Sequence, residues 1–264
     1  MNYEIKPRSL GEILDGTFQL YKNHFGVFAS AALAFSVPSL LLWAMVNLVI
    51  TGQVSVDPSF SQDKNDPSTL IPFLIGFATI QPFLFLLQLL QEAVLTLIIA
   101  DAYLGRTPNL GAAFQKCLGL FKPLVGAGCL KGLGIALGLV CLLVPGILLM
   151  LRWMFSTQAI TLEGCGASAG MKRSRDLTMG ERGRLFLIVL ILGILSMALS
   201  FGLKAVLPDA IGNIPVLGGL LQQLPILLLV PLGPAAITLA YFDARVKKEG
   251  FDLQVLSGSM PPGA

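Results

Sequence analysis

Residues 123–162 read PLVGAGCLKGLGIALGLVCLLVPGILLMLRWMFSTQAITL. The only charged side chains in this apolar run are Lys131 and Arg152. As a single helix it would be about 60 Å long, twice the ~30 Å hydrocarbon core of a bilayer. Its flanks are both basic: Arg106, Lys116 and Lys122 precede it, and Lys172, Arg173, Arg175, Arg182 and Arg184 follow. Positive flanks of membrane spans belong on the cytoplasmic side, so the number of crossings between them is even. Pro145–Gly146 lies near the middle, where a proline and a glycine can turn the chain. The stretch predicts a tight hairpin of two spans, 123–144 and 145–162.

The same alternation runs outward in both directions. Apart from Lys64, Lys131, Arg152 and Lys204, every Lys and Arg falls in segments 1–24, 101–123, 163–184 or 243–264. Further apolar runs at 25–50, 70–100, 185–206 and 216–242 bring the total to six spans, each near or above the ~20 residues that a crossing needs. The connector 51–69, with Asp57, Asp63, Asp66, Pro58 and Pro67, reads as extracytoplasmic, as does 207–215. The expected fold is all-α. It is a polytopic integral membrane protein with six transmembrane helices as three hairpins, each preceded by an amphipathic interfacial helix. Both termini are expected in the cytoplasm. Residues 1–255 form one membrane domain, and 256–264 a disordered tail.

Composition agrees. The chain is 55% hydrophobic and only 12% charged, against about 25% charged in soluble domains, and its mean hydropathy is +0.78. Nucleic acid is excluded as a partner because no basic segment carries a base-reading module. The first 24 residues are amphipathic and predict no cleavable signal peptide. Cys117, Cys129, Cys141 and Cys165 read as reduced, since Cys129 and Cys141 would lie about 18 Å apart on one helix.

The three cytoplasmic lead-ins resemble one another. Ser9, Asn109 and Ser168 are equivalent candidate N-caps. Leu14 matches Phe114, Phe18 matches Leu118, Tyr21 matches Phe121, and Lys22 matches Lys122. Spacings of four, four and three place the apolar members on one helical face. The third copy keeps Leu177 but has Arg173 in place of an apolar residue. Pseudo-repeats of about 9–100, 109–162 and 168–242 follow. Such helices lie in the membrane plane, and their basic neighbours Lys22, Lys122, Lys172, Arg173, Arg182 and Arg184 are expected to face anionic lipids of the cytoplasmic leaflet.

Charges inside the spans are costly and therefore informative. Glu92 and Lys131 fall at matched depth, Arg152 lies deeper on the fourth span, and Gln88 and Gln91 add polar groups. They are read either as a self-neutralising Glu92–Lys131 pair with Arg152 snorkelling, or as a polar transport site. Gly128, Gly132, Gly134 and Gly138, in two pairs at four-residue spacing, are expected to let neighbouring helices approach closely. No catalytic constellation, metal-ligand spacing or nucleotide loop appears, no cofactor is expected, and the one histidine, His24, reads as an interfacial residue.

Three stretches are distinctive: RSLGEILDGTFQLYKNHF at 8–25, LLVPGILLMLRW at 142–153 followed by MKRSRDLTMG at 171–180, and YFDARVKKEGFDL at 241–253. Together they make the chain resemble the bacterial "glycerophosphoryl diester phosphodiesterase membrane domain" family. In some members that module is fused to a phosphodiesterase barrel, whose His-Arg pair and Glu-Asn-Thr run are missing here. The resemblance thus implies a polytopic membrane module without enzyme activity, in the bacterial cytoplasmic membrane. The expected function is a non-catalytic inner-membrane protein that organises or assists a membrane partner or lipids. The alternative is a small permease or channel built on Glu92, Lys131 and Arg152. A lipid-active enzyme ranks last.

Overall fold

The computed structural model describes residues 8–51, 67–206 and 229–250. Every regular element in them is an α-helix: α1 Leu10–Asn23, α2 Phe25–Thr51, α3 Pro67–Tyr103, α4 Leu110–Gly119, α5 Phe121–Cys141, α6 Leu143–Arg152, α7 Ser156–Glu163, α8 Ala167–Thr178, α9 Arg182–Val206 and α10 Leu232–Glu249. Among the described residues, five stretches are long and apolar enough to cross a membrane: Phe25–Val46, Ile75–Tyr103, Phe121–Cys141, Leu143–Glu163 and Arg182–Leu199. The chain is an all-helical, multi-pass membrane protein. The sixth expected span, 216–242, begins outside the described residues, as do most of the connector 51–69, the connector 207–215 and the tail.

Backbone contacts divide the chain into two compact units. The first comprises Met1–Ala31, Leu89–Gly193 and Pro231–Ala264; the second comprises Ala32–Gln88 and Ile194–Val230. The first unit contains α1, α4 to α8 and α10, together with one end each of α2, α3 and α9. Its core holds Ile13, Leu20, Phe28, Leu95, Ile98, Ile99, Phe155, Ile160, Leu177, Ile188 and Tyr241, all fully buried. The second unit buries Phe35, Ile80 and Leu84 and brings the rings of Trp43 and Phe77 to 6.1 Å.

The reversal after α5 is not at Pro145–Gly146. It occurs at Leu142, whose extended backbone (φ −164°, ψ 141°) separates the two helices. Pro145 falls in the first turn of α6, where a missing N–H costs no hydrogen bond. Gly146 is a contact point instead: a Cβ on Gly138 would lie 2.9 Å from Gly146 Cα. Further along, a Cβ on Gly134 would lie 2.5 Å from the Trp153 ring. These two glycines let α5 and α6 fold tightly back on each other. Gly128 is buried, whereas a side chain at Gly132 would meet nothing within 4 Å. Gly132 lies off the packed stripe, because a four-residue step from Gly128 points away from the stripe that Gly134 and Gly138 define.

In α1 and α4 the buried face lies one residue from the expected one, whereas in α8 the expected Leu177 is buried. Helix α1 starts on a reciprocal cap: the Ser9 side chain accepts from the Glu12 N–H, and Glu12 accepts from the Ser9 N–H. It buries Ile13, Gly16, Thr17 and Leu20, and it packs on α10. Phe18 stays outside at 44% exposure, and Leu14 and Tyr21 are half-buried. Helix α4, capped by Asn109, buries Ala113 and Cys117 and leaves Phe114 and Leu118 outside. Helix α8 is capped by Gly166, not by Ser168, and buries Gly170, Ser174, Leu177 and Thr178. Counted from these observed caps, burial recurs at the fourth and eighth positions in all three.

Candidate functional site

Among the described residues, Glu92 and Lys131 join no ion pair and Arg152 joins none. The expected Glu92–Lys131 pair does not form. Lys131 stands three residues before Gly134 and seven before Gly138 on one stripe of α5, in which Gly138 meets Gly146 of α6 and Gly134 meets the Trp153 ring. Glu92 and Gln91 are half-buried on α3, and Gln88 is exposed. The Gln91 side-chain nitrogen is buried without a partner. Deeper in the same unit, Gln158 is fully buried and donates to Thr96 Oγ1 at 3.4 Å, while Thr96 donates to the Glu92 carbonyl at 2.8 Å.

Arg152 sits where the fourth crossing breaks. Residues Trp153–Phe155 form a turn between α6 and α7. A break inside a membrane helix frees backbone groups that only protein can satisfy. Ser174 satisfies two of them: its hydroxyl donates to the Arg152 carbonyl at 3.0 Å and accepts the Phe155 N–H at 3.0 Å. Thr178 donates to the same carbonyl at 3.3 Å. Ser174 and Thr178 come from the MKRSRDLTMG stretch, and neither was legible as a cap, because the groups they serve lie about twenty residues away.

The other residues of the distinctive stretches build an ionic cluster. Arg173 on α8 grips Glu163 with Nε and Nη2, both at 2.9 Å, and Glu249 with Nη2 at 2.7 Å and with Nη1. Tyr241 donates its hydroxyl to Glu163, and Arg245 lies 3.3 Å from Glu249 and 3.7 Å from Glu163. A second group centres on Asp243, whose side chain is 3% exposed. It accepts the Arg8 N–H at 2.6 Å and Arg184 Nη1 at 2.6 Å, with Lys247 at 3.1 Å. Arg184 also reaches Glu181. Lys248 donates to the Asp176 and Met179 carbonyls at the end of α8. The Arg8 guanidinium stands over the Tyr103 ring, which stacks on Phe242.

Arg173 and Arg184 are therefore held by protein carboxylates and do not point to lipid. The sequence placed them among basic neighbours, but apart from Glu181, three residues from Arg184, their partners are 10 to 76 residues away along the chain. Lys22, Lys122 and Lys172 are exposed, and Arg182 is half-exposed; none of the four forms an ion pair among the described residues. The hydrogen bonds and charges of Glu249 and Glu163 raise the Arg173 guanidinium above its ordinary range. Burial pushes the Glu249 carboxyl up, but hydrogen bonds and charges from Arg173 and Arg245 outweigh it and hold it below the usual glutamate range. Burial pushes the Cys117 thiol up to about 12.

The family model described as Domain of unknown function (DUF7847) matches residues 25–243. The chain belongs to that family. The DUF7847 match reaches from the start of α2 to Asp243, so it includes the broken fourth crossing, Ser174, Arg173 and Arg184, and leaves out α1. Its description assigns no activity. No curated protein and no solved structure matches the chain. The likeness to the phosphodiesterase-linked membrane module thus rests on the three stretches alone.

Proposed function

We propose that this DUF7847 protein is a non-catalytic, multi-pass protein of the bacterial inner membrane that organises or assists a membrane partner or lipids. The observation that carries this reading is the outward face of α1 and α4. Phe18, Phe114 and Leu118 are exposed on the side away from the protein core, and exposed Lys22 and Lys122 follow just beyond them. Apolar side chains beside cations are what an interfacial helix presents to acyl chains and anionic headgroups. On this reading α1, α4 and α8 are three related lead-ins, with both termini on the cytoplasmic face.

The test uses the full chain in nanodiscs of phosphatidylcholine, with and without phosphatidylglycerol. Amide exchange along α1 and α4 should slow when the anionic lipid is added. Exchange that ignores lipid charge and matches the rate in detergent would refute docking of these helices. A second reading, a small permease or channel, draws support from Lys131 and Arg152, charges within apolar stretches that form no ion pair with a carboxylate among the described residues. Solute flux into proteoliposomes that depends on both residues would favour it.

A further inference from the structure

The stretch Leu143–Glu163 is long and apolar enough to cross a membrane, but it consists of two unlike pieces. Helix α6, Leu143–Arg152, has ten residues and is about 15 Å long, half of the ~30 Å hydrocarbon core. Helix α7 carries Thr157, Gln158 and Thr161, is buried from Ser156 to Leu162, and packs on α8 and α5. It ends at Glu163, which Arg173 of α8 grips. Helix α8 exposes Lys172, Arg175 and Asp176. Charges in hydrocarbon are costly, so α8 lies outside it. Ser174 and Thr178 of that helix bond the Arg152 carbonyl at 3.0 and 3.3 Å. The end of α6 is therefore held at the membrane surface.

Between that level and the reversal at Leu142 there is only α6. Residues 132–151 contain no charged side chain, and Lys131 and Arg152 bracket them. Folded back at Leu142, this run makes two arms of about 15 Å each, which meet at Gly138 and Gly146. The tip is apolar and uncovered: Val140 is 85% exposed and Leu142 68%, and Cys141, Leu143 and Val144 are exposed as well. A turn that emerged into water would present all of these side chains to it. The turn also spares backbone groups, as hydrocarbon requires. The Leu142 N–H donates to the Gly138 carbonyl at 3.0 Å, and Pro145 has no N–H to satisfy. The first half of α5 is of another kind. It buries Leu124, Ala127 and Gly128 and packs on α8, where a Cβ on Gly126 would lie 3.4 Å from that of Ala167.

We propose that the α5–α6 hairpin is a re-entrant wedge in the cytoplasmic leaflet, in place of a third and a fourth crossing. It enters beside α8, turns at Leu142 near the bilayer centre and returns to the same face. Its partner is the acyl chains of that one leaflet, which meet the exposed Leu133, Leu137, Val140, Leu142 and Leu148. Lys131 and Arg152 then stand at headgroup level, where water and lipid phosphate satisfy a cation and no carboxylate is needed. Both basic flanks stay on one side, as their charge requires. The wedge adds apolar volume to one leaflet and none to the other. The inference rests on the cytoplasmic placement of α8 in the reading above and names the lipid region that this part engages.

The experiment measures the depth of nitroxide labels on the full chain in bilayers of phosphatidylcholine and phosphatidylglycerol. Native Cys141 is exposed at the tip and is labelled with Cys129 and Cys165 replaced by Ala; Cys117 is buried and stays unlabelled. A second protein carries Cys141→Ala and Gly132→Cys, at a position where a side chain meets nothing within 4 Å. The wedge requires the label at Cys141 to collide with dissolved oxygen and hardly with a water-soluble nickel chelate, and the label at Gly132→Cys to lie nearer the surface and meet the chelate more. Two full crossings require the reverse, since residue 132 is then near mid-membrane and Cys141 near the far surface. Should Gly132→Cys fail to fold, exposed Cys129 serves as the shallow position. Equal depths, or a shallower Cys141, would overturn the proposal. A deep Cys141 together with exchange in α1 and α4 that ignores lipid charge would keep the wedge and refute only the docking of the lead-in helices.

Discussion

Arg173 shows how much one side chain can depend on residues distant in sequence. It joins α8 to the end of α7 and the end of α10, through Glu163 and Glu249. Removing one member of a buried pair leaves the other charge uncompensated, which costs about 3–5 kcal/mol. Arg173 keeps 28% of its side chain exposed, so Arg173→Leu should cost near the lower figure, read as a loss of unfolding free energy in detergent. Arg173→Lys should recover only part, because a point charge cannot grip two carboxylates at once. A pH dependence follows. The folded-state pKa of Glu249 is depressed, so its stabilising contribution is complete above the ordinary glutamate pKa of about 4.3 and is lost as pH falls through the folded value. Acidification from pH 7 toward pH 3 should therefore lower Tm less in Glu249→Gln than in the parent. Cys117 offers a simpler check. Fully buried and with its thiol pushed up to about 12, it should resist maleimide at pH 7.5 until the protein unfolds, because the thiolate is the nucleophile.

At the scale of the element, the glycines of α5 separate into contacts and bystanders. Gly138→Ala drives a Cβ into the backbone of Gly146 and should destabilise by about 1–3 kcal/mol. Gly132→Ala, with open space around it, should be neutral or slightly stabilising through helix propensity. Differential scanning of the two variants side by side checks this. The lead-in helices allow a matching contrast. Leu20→Asp puts a charge into the buried face of α1 and should lower Tm in detergent as well as in lipid. Phe18→Asp alters only the outward face. It should leave Tm in detergent nearly unchanged while speeding amide exchange of α1 in nanodiscs. Equal effects of both substitutions in detergent would mean that the outward face is also packed against protein.

For the whole molecule, orientation is the property to test. Ser59 belongs to the connector expected outside, and Ser168 to α8. In a background without native cysteines, Ser59→Cys should react with an impermeant maleimide in intact cells, and Ser168→Cys should react only after permeabilisation. The opposite pattern would invert the topology.

The all-helical, multi-pass class followed from the sequence alone, because hydropathy and charge alternation report on the solvent, which for this chain is lipid. The caps Ser9 and Asn109 were legible for the same local reason: the groups they satisfy lie within three residues. The reversal at Leu142 was not, because any of several residues between two apolar helices can turn the chain, and Gly138 against Gly146 selects the point. Nor did charge count reveal that Arg8, Arg184 and Asp243 meet, or that Arg173 lies between Glu163 and Glu249. A cation on a basic segment looks the same from its neighbours whether it ends in lipid or against a carboxylate. Tertiary packing alone decides that, since it brings the opening, central and closing stretches into one unit and, among the described residues, pairs Lys131 and Arg152 with no carboxylate.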